Sequence, residues 1–274
     1  MEKRPVHDED MALLIRDLAE LYGYDFSDYA QASLQRRVAR LLVLDRFPSF
    51  AEFRYRLRTD RRYLHRFIEQ ITVNVTEMFR DPGFYSFLRT QVLPVLATHP
   101  LIRIWHAGCA TGEEVFSMAI LLREANLLHR SLLYATDINA GVLEKAGKGI
   151  FPLAQMRQYS ENYIRAGGKG SFSDYYTARY DRALFDRSLR EQMIFATHNL
   201  VSDHSFNEFQ LIICRNVLIY FNRELQDKVL HLFDQSLEHL GYLALGTKET
   251  LRFSTVSAKF RALDGKEKIW RKIR

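Results

Sequence analysis

The loop within residues 105–122 (WHAGCATGEEVFSMAILL) has the composition of a site for a small ligand. An apolar strand-like run leads into Gly108 and Gly112, which lack a Cβ atom and therefore let the main chain approach a ligand closely. Glu113 and Glu114 follow and open an apolar helix. Two carboxylates disfavour a phosphate group at this helix N-terminus, so the loop predicts a site for a cationic ligand.

A third acid follows the next strand-like run. Asp137 ends the segment YATD, at the position where an acid accepts hydrogen bonds from ribose hydroxyls in open α/β sheets. A ribose that carries a positive charge and no phosphate describes S-adenosylmethionine. The loop and Asp137 together therefore predict an S-adenosylmethionine site, although each signal alone also fits a plain turn or a helix cap.

More polar residues follow the later strand-like runs, where open α/β sheets bind their ligands. They are Asn199, Arg215, Asn216 and the stretch 246–249. His106 and His198 also lie at strand ends, but no nucleophile accompanies them, so we expect packing or hydrogen bonding. Cys109 and Cys214 each end an apolar run, which predicts small buried side chains and no metal site.

Strands alternate with helices from about residue 100. The strand-like runs are LIRIWHA, SLLYATDI, EQMIFATHNL, FQLIICRNVLIYF and GYLALGTKE, and EEVFSMAILLREANLL and RELQDKVLHLFDQSLEHL have helical spacing. Strands this apolar are typical of a parallel sheet buried on both faces. We therefore predict a Rossmann-like α/β sheet that ends in an antiparallel hairpin at Asp264-Gly265. A segment rich in glycine and aromatic residues predicts a small antiparallel β-subdomain inserted at about 160–192.

The N-terminal part of the chain predicts helices with an excess of arginine. One helix has an apolar face made of Leu34, Val38, Leu41 and Leu42. Arg36, Arg37 and Arg40 fall on its other face or its flank. From residue 36 to 66 there are ten arginines and three acids, so this surface suits an acidic partner.

Composition sets the scale of the molecule. The 274 residues are 47% hydrophobic and carry a formal net charge of +6, which is enough apolar material for a sizeable core. We predict an all-helical domain at 1–75 and an S-adenosylmethionine-binding domain at 76–274. The start MEKRPVHDED lacks the apolar core of a signal peptide, and no apolar run reaches the ~18 residues of a membrane span, so we expect a cytoplasmic protein.

Five motifs carry a family resemblance. They are ITVNVTEMFRD (71–81), AGCATGEE (107–114), ATDI (135–138), HNL (198–200) and CRNVLIYF (214–221). They resemble the chemotaxis-receptor methyltransferases of the CheR type. The resemblance implies a small helical domain joined to an α/β domain with a β-subdomain insertion. It also implies an enzyme that forms a glutamate methyl ester on the cytoplasmic helices of a receptor and leaves S-adenosylhomocysteine as product.

The resemblance further implies site residues. Its cofactor contacts fall on Asn74, Thr76, Arg80, Glu113, Asp137, Asn199, Leu200, Arg215 and Asn216. Arg80 and Tyr220 are the residues expected nearest the reacting methyl group. Many family members have Gly-His-Ser-Glu at the end of the fifth strand, where this chain has GTKE (246–249). Lys248 therefore adds a cation near the mouth of the site and bears on the choice of target.

The chemistry of an ester-forming methyl transfer agrees with the residues present. A glutamate is ionised at pH 7 and needs no general base, and the sequence has no Ser-His-Asp or Cys-His arrangement. We expect Arg36, Arg37 and Arg40 to bind receptor helices, and the β-subdomain to bind a receptor C-terminal tail. The protein is expected to be a monomer that binds no nucleic acid and inserts in no membrane. Two alternatives stay open, a nucleic-acid methyltransferase that docks through its basic helices and a non-catalytic S-adenosylmethionine-binding signalling protein.

Overall fold

An N-terminal group of helices and an α/β domain make up the chain. The computed structural model describes residues 6–22, 24, 26–27, 29–71 and 76–274. The N-terminal helices within these residues are α1 (Asp8–Tyr22), α2 (Gln31–Leu44), α3 (Phe50–Thr59) and α4 (Arg61–Ile71). Their apolar stripes meet in a common core around Val38, Phe53 and Phe67, which are fully buried. Ser49 caps α3 by accepting a hydrogen bond from the Glu52 main-chain N–H at 3.2 Å.

Residues 76–274 alternate between strands and helices. The strands are β1 (Ile102–Ala107), β2 (Ser131–Asp137), β3 (Ile150–Pro152), β4 (Tyr176–Arg179), β5 (Arg182–Phe185), β6 (Met193–Thr197), β7 (Phe209–Cys214), β8 (Leu237–Leu245), β9 (Phe260–Asp264) and β10 (Ile269–Lys272). The helices are α5 (Pro82–Phe87), α6 (Leu93–Leu96), α7 (Glu113–Glu124), α8 (Ala140–Lys148), α9 (Met156–Arg165), α10 (Arg187–Arg190) and α11 (Arg223–Ser236). A π-helical turn at Leu88–Val92 joins α5 to α6.

The main sheet has seven strands in the order β6-β2-β1-β7-β8-β10-β9. Its first five strands are parallel, and β10 runs antiparallel to both β8 and β9. The predicted α/β sheet and the predicted C-terminal hairpin are therefore confirmed. The carboxyl ends of the parallel strands meet at one edge of the sheet, and the loops that follow them form the site described below.

Helices cover both faces of the sheet. On one face, α5 and α7 pack against the even-numbered residues of β1, among them Ile102 and Ile104. On the other face, Trp105 packs edge-on against Phe233 of α11, with ring centroids 5.4 Å apart. The indole N–H of Trp105 donates to Thr136 Oγ1 at 2.8 Å, which fixes this large side chain against β2. Both cysteines are buried and free.

A second, three-stranded antiparallel sheet has the order β3-β5-β4. Phe151 and Phe185 from this sheet pack against Phe116 of α7, with ring centroids 5.3 and 5.5 Å away. Two of the strands lie inside the predicted insertion at about 160–192, but β3 precedes it. The small sheet therefore begins nearer to Ile150, because three residues of β3 are too short to leave a readable periodic pattern.

The helical spacing of RELQDKVLHLFDQSLEHL (223–240) predicts a helix whose C-terminal end lies beyond the observed one. Helix α11 ends at Ser236 and β8 begins at Leu237, which pairs with Phe209 of β7. The strand is irregular here, since the register shifts beside Phe209 and Leu240 has a φ of 66°. Pairing of Leu237 with β7 thus overrides a local spacing that fits a helix as well as a strand.

The helical domain docks on the loop that follows β7. The Ala30 main-chain N–H donates to the Tyr220 carbonyl at 2.8 Å, and Tyr29 forms an isolated β-bridge with Phe221. A second contact joins α4 to α8 through Glu69 and Lys145 at 3.1 Å. The helical domain therefore covers the carboxyl edge of the parallel strands. Over the part of the chain that is described, no helix has the length and apolar character required to cross a bilayer.

Candidate functional site

A cavity of about 220 Å³ lies between the helical domain and the carboxyl edge of the parallel strands. Helix α2 contributes Leu34 and Arg37 to its wall, and the loop after β1 contributes Gly108 and Cys109. The loops after β2, β6 and β7 complete the wall. The cavity thus lies where the sequence predicts the ligand site, with a roof supplied by the other domain.

The loop after β1 is fixed to the end of β2 by its main chain. Gly108 and Cys109 donate their N–H groups to the Thr136 carbonyl at 2.8 and 2.9 Å. Gly108 has a φ of 79°, and a Cβ atom there would lie 2.4 Å from a methyl carbon of Val217. Only glycine fits this position, because both the backbone conformation and the neighbour exclude a side chain.

Asp137 continues the same connection and lines the cavity. Its carboxylate accepts hydrogen bonds from the N–H groups of Ala110 at 2.9 Å and Asn139 at 3.0 Å. Burial raises the pKa of Asp137, and these main-chain hydrogen bonds oppose the rise. An ionised carboxylate has about four lone-pair positions, so two oxygens held in this way can still accept hydrogen bonds from a ligand.

Glu114 is the acid of the Glu113-Glu114 pair that lines the cavity. His106 Nδ1 lies 2.9 Å from one of its carboxylate oxygens, and the Arg215 guanidinium lies 3.5 Å from the other. Burial raises the pKa of Glu114, but the hydrogen bond with His106 and the charge of Arg215 outweigh it and hold the pKa below its usual value. Glu114 therefore supplies a negative charge to the cavity wall.

Glu113, which the family resemblance places at the cofactor, does not line the cavity. Its carboxylate accepts a hydrogen bond from Thr111 Oγ1 at 2.6 Å and faces Tyr159 of α9, and burial raises its pKa to about 7. Consecutive residues of a helix point about 100° apart, so only one of the two acids can face the cavity. A cofactor contact of Glu113 stays a prediction, and Glu114 is the acid of the pair that lines this cavity.

Arg215 is engaged by protein groups on several sides. Its guanidinium forms ion pairs with Asp81 and Glu114, donates to the Arg80 carbonyl at 3.2 Å and lies 4.3 Å from the centroid of the Phe84 ring. It lines the cavity, and its buried Nε has no hydrogen-bond partner among the described residues. A cofactor contact of Arg215 therefore stays a prediction, and the geometry adds that this residue holds Glu114 in place.

Arg37 lies at the cavity, whereas Arg36 and Arg40 are exposed on the outside of α2. The Arg37 guanidinium donates to the Ile71 carbonyl at 2.8 Å and lies 5.6 Å from the centroid of the Tyr220 ring. The sequence expectation of one outward arginine surface therefore holds for two of the three residues. Arg37 points inward because the docking of α2 on the loop after β7 buries that flank of the helix.

The remaining predicted contacts divide into two groups. Thr76, Arg80, Asn199, Leu200, Asn216 and Tyr220 line the cavity. Asn74 lies outside the described residues and stays a prediction. Asn199 Oδ1 accepts a hydrogen bond from the Val201 N–H at 3.0 Å, so this amide also shapes the loop after β6. Tyr29, Leu34 and Glu77 also line the cavity, although the sequence predicts no ligand contact for them. The places of Tyr29 and Leu34 in the wall depend on how the helical domain docks.

The cavity wall carries both carboxylates and guanidinium groups. Asp137 and Glu114 supply carboxylates, which suit a ribose diol and an amine or sulfonium. Ile138, Leu200 and Val217 supply apolar wall. Arg37 and Arg80 lie near the phenol of Tyr220. Burial raises the pKa of Tyr220, and the charges of both arginines oppose that rise. The cavity is therefore suited to a ligand with a polar, cationic part and to a second, anionic group.

Comparisons with known proteins agree with this chemistry. Residues 74–269 match a family model described as the SAM-binding domain of CheR methyltransferase, and residues 9–72 match its all-alpha domain. A Pseudomonas putida protein named as a candidate methyltransferase, Cher3, is 46% identical over 97% of both chains. A chemotaxis protein methyltransferase of Listeria innocua is 30% identical and covers 90% of this chain and 92% of its own. Chemotaxis protein methyltransferase 2 of Pseudomonas aeruginosa is 30% identical, with coverages of 88% and 86%.

Solved structures give a weaker match. The N-methyltransferase NodS of Bradyrhizobium japonicum, in complex with S-adenosylhomocysteine, superposes with a TM-score of 0.33 at 15% identity, over 61% of this chain and 63% of that one. A score this low carries no argument about the site.

Replacing Asp137 by alanine should weaken binding of S-adenosylhomocysteine by about 1.5–3 kcal/mol, because the ribose hydroxyls lose a charged hydrogen-bond acceptor. Titration calorimetry measures the affinity, and a thermal unfolding curve shows that the variant is folded. Asp186→Ala is the matched control, since it also removes a carboxylate bonded to a main-chain N–H but lies outside the cavity. An unchanged affinity in a folded Asp137→Ala protein would contradict the prediction that Asp137 binds the ribose hydroxyls.

The pH dependence of stability should contain a contribution from Glu113. Its folded-state pKa of about 7 exceeds the ordinary value of 4.5, so the folded chain binds the proton more tightly. The resulting stability is complete below pH 4.5 and is lost as the pH rises through 7, by up to about 3 kcal/mol. Denaturant unfolding between pH 5 and 8 should show this loss in the wild type and a flatter profile in Glu113→Gln. Glu191→Gln, at an exposed acid, should keep the wild-type profile.

Proposed function

We propose that this chain, which belongs to the CheR methyltransferase family, transfers methyl groups from S-adenosylmethionine to glutamate side chains on the cytoplasmic helices of chemotaxis-type receptors. Dependence on S-adenosylmethionine and methyltransferase activity follow from the family. The receptor glutamate is the proposed part. The observation that supports it is a cavity lined both by carboxylates, Asp137 and Glu114, and by Arg37 and Arg80 near Tyr220.

The cofactor is suited to the residues that line the acidic part of the cavity. When bound, S-adenosylmethionine supplies an electrophilic methyl group on a sulfonium. Asp137 would accept hydrogen bonds from the ribose, and Glu114 would pair with the amino group, whose positive charge matches its carboxylate. Gly108 lets the loop after β1 pack directly against Val217, which also lines the cavity. Asn199 and Leu200 would border the adenine.

Arg37, Arg80 and Tyr220 would hold the glutamate that receives the methyl group. Two guanidinium groups suit a carboxylate, and a neutral phenol can donate one more hydrogen bond to it. Burial raises the pKa of Tyr220 above its ordinary value, so its hydroxyl keeps its proton at neutral pH. A glutamate arrives already ionised, and these residues therefore orient the nucleophile rather than remove a proton from it.

The outer surface of α2 would meet the receptor. Arg36 and Arg40 are exposed one turn apart, on the helix whose Arg37 lines the cavity. A glutamate-rich receptor helix that binds these two arginines is thus brought to the residues that orient its carboxylate. Charge pairing of this kind raises the association rate and weakens with added salt.

The small sheet is the proposed site for a receptor C-terminal tail. Strand β4 is an edge of that sheet, and the side chains of Thr177, Ala178 and Arg179 are exposed. An edge strand offers unpaired main-chain groups to an extended peptide. We further propose that the enzyme acts as a monomer.

One labelling experiment tests the function. Protein incubated with methyl-labelled S-adenosylmethionine should label receptor cytoplasmic fragments and leave total RNA unlabelled. Mild alkali should release the label, because a glutamate methyl ester hydrolyses under those conditions. Label in RNA, or an alkali-stable label on protein, would contradict the proposal in favour of another methyl acceptor. Absence of label from a panel of receptor fragments would contradict it as well.

Arg80→Ala should lower the turnover of receptor fragments by about a hundredfold, the size of effect expected when a reacting group is misplaced. S-adenosylhomocysteine affinity should change much less, because Asp137 and Glu114 are intact. Arg80→Lys is the matched variant that keeps the charge but loses the planar fork, and it should recover only part of the rate. Turnover near that of the wild type in Arg80→Ala would exclude Arg80 from the reaction.

Reversing the charges of Arg36 and Arg40 together should raise the KM for receptor fragments several-fold and remove most of its salt dependence. Affinity for S-adenosylhomocysteine should be unchanged, because neither side chain lines the cavity. Arg261→Glu with Lys266→Glu, at exposed positions of β9 and the turn after it, makes the same change in net charge and serves as the control. A double variant that methylates receptor normally at low salt would move the docking surface elsewhere.

A further inference from the structure

Glu249 is a buried acid that the proposed chemistry does not use. It ends the stretch GTKE and is 4% exposed. Its carboxylate accepts hydrogen bonds from the main-chain N–H groups of Asn216 at 3.0 Å, Val217 at 2.9 Å and Ile219 at 3.3 Å. The N–H of Gly246 donates to it as well. Four main-chain donors therefore converge on one carboxylate that does not itself line the cavity.

The segment that Glu249 holds is the one that shapes the cavity. Asn216, Val217, Ile219 and Tyr220 line it. Asn216 has a φ of 62°, which costs free energy for a residue with a side chain and persists only where surrounding contacts enforce it. The hydrogen bonds to Glu249 begin at this residue, so they are placed to stabilise the unusual conformation.

The same segment carries contacts to the rest of the site. The side chain of Val217 lies against Gly108 of the loop after β1. The carbonyl of Tyr220 accepts the N–H of Ala30 from the helical domain at 2.8 Å. A shift of the segment would therefore move both the loop after β1 and the contact through which the helical domain docks.

Gly246 provides an independent sign that the arrangement is tight. A Cβ atom at this position would lie 2.7 Å from Glu249 Oε2 and 2.8 Å from the Asn216 main-chain nitrogen. These distances are shorter than side chains tolerate, so the residue after strand β8 must be glycine for the carboxylate to reach its donors. Any side chain here would push Glu249 and Asn216 apart.

The charge of Glu249 is balanced by main-chain dipoles. Within the described residues, none of the ion pairs of the structure includes Glu249, and the neighbouring Lys248 is exposed. A buried carboxylate is stable when several N–H groups donate to it. A glutamine would replace one acceptor oxygen by an NH₂ group, which would then face N–H donors instead of accepting from them.

We propose that Glu249 is a positioning residue, whose carboxylate holds the segment 215–221 in the conformation that binds the cofactor. The inference rests on the assignment of the cavity to S-adenosylmethionine. It gives the last residue of GTKE a role in cofactor affinity, separate from any effect of Lys248 on the choice of target.

The test compares two glycine-to-alanine variants and one isosteric variant of the acid. Gly246→Ala disturbs the carboxylate without changing its charge, whereas Gly265→Ala makes the same chemical change where a Cβ atom meets nothing within 4 Å. Glu249→Gln alters the acceptor directly. S-adenosylhomocysteine affinity is measured by calorimetry at a temperature where thermal unfolding shows each variant to be fully folded.

Glu249→Gln and Gly246→Ala should each bind S-adenosylhomocysteine about tenfold more weakly or worse, the effect of losing one buried hydrogen bond at the site or more. Gly265→Ala should match the wild type. A merely structural role would lower the unfolding temperature and leave the affinity of the folded protein unchanged, and that result would overturn the proposal.

The remaining outcomes are also decisive. If Glu249→Gln does not fold, Gly246→Ala decides the question alone. If neither folds, Glu249 is required for the fold rather than for the segment, and the proposal is overturned. A wild type that binds S-adenosylhomocysteine with an affinity that Asp137→Ala does not alter would instead place the cofactor elsewhere, which would remove the site assignment and this inference together.

Discussion

The buried guanidinium of Arg215 is the interaction on which the rest of the site depends. A charged group inside a protein is stable only when other charges and hydrogen bonds surround it, and Arg215 obtains them from Asp81, Glu114 and the Arg80 carbonyl. These partners belong to the segment before α5 and to the first turn of α7. One side chain at the end of β7 therefore fixes two other parts of the cavity wall and keeps Glu114 ionised and in place.

The helical domain then makes this edge of the sheet into an enclosed cavity. It contributes Arg37 and Leu34 to the wall, and it docks through main-chain contacts at Tyr220. The arrangement explains why a basic helix can serve two purposes. Its inner flank brings the Arg37 guanidinium to the cavity, while its outer face presents Arg36 and Arg40 to solvent. In the proposed function, this one helix would couple receptor docking to the orientation of the carboxylate.

Much of the fold follows from local patterns. Apolar runs of strand length that alternate with helical spacing predict the parallel sheet, and Asp264-Gly265 predicts the final hairpin, because these signals come from residues a few positions apart. The predictions that are wrong involve weak or ambiguous signals. The helix beginning at Arg223 stops at Ser236 because Leu237 pairs with β7, and β3 is a strand only because β5 lies beside it.

The sequence alone determined which kinds of residue stand at the ends of the strands, and so it determined the acidic, glycine-rich character of the site. Whether a given side chain faces the cavity was decided by tertiary structure. Glu113 and Glu114 are adjacent and chemically alike, yet only the packing of α7 selects Glu114. Arg36 is exposed and Arg37 lines the cavity only because of the way in which α2 docks. The physical reason is that burial, charge pairing and enclosure depend on segments far apart in the chain, which no local spacing encodes.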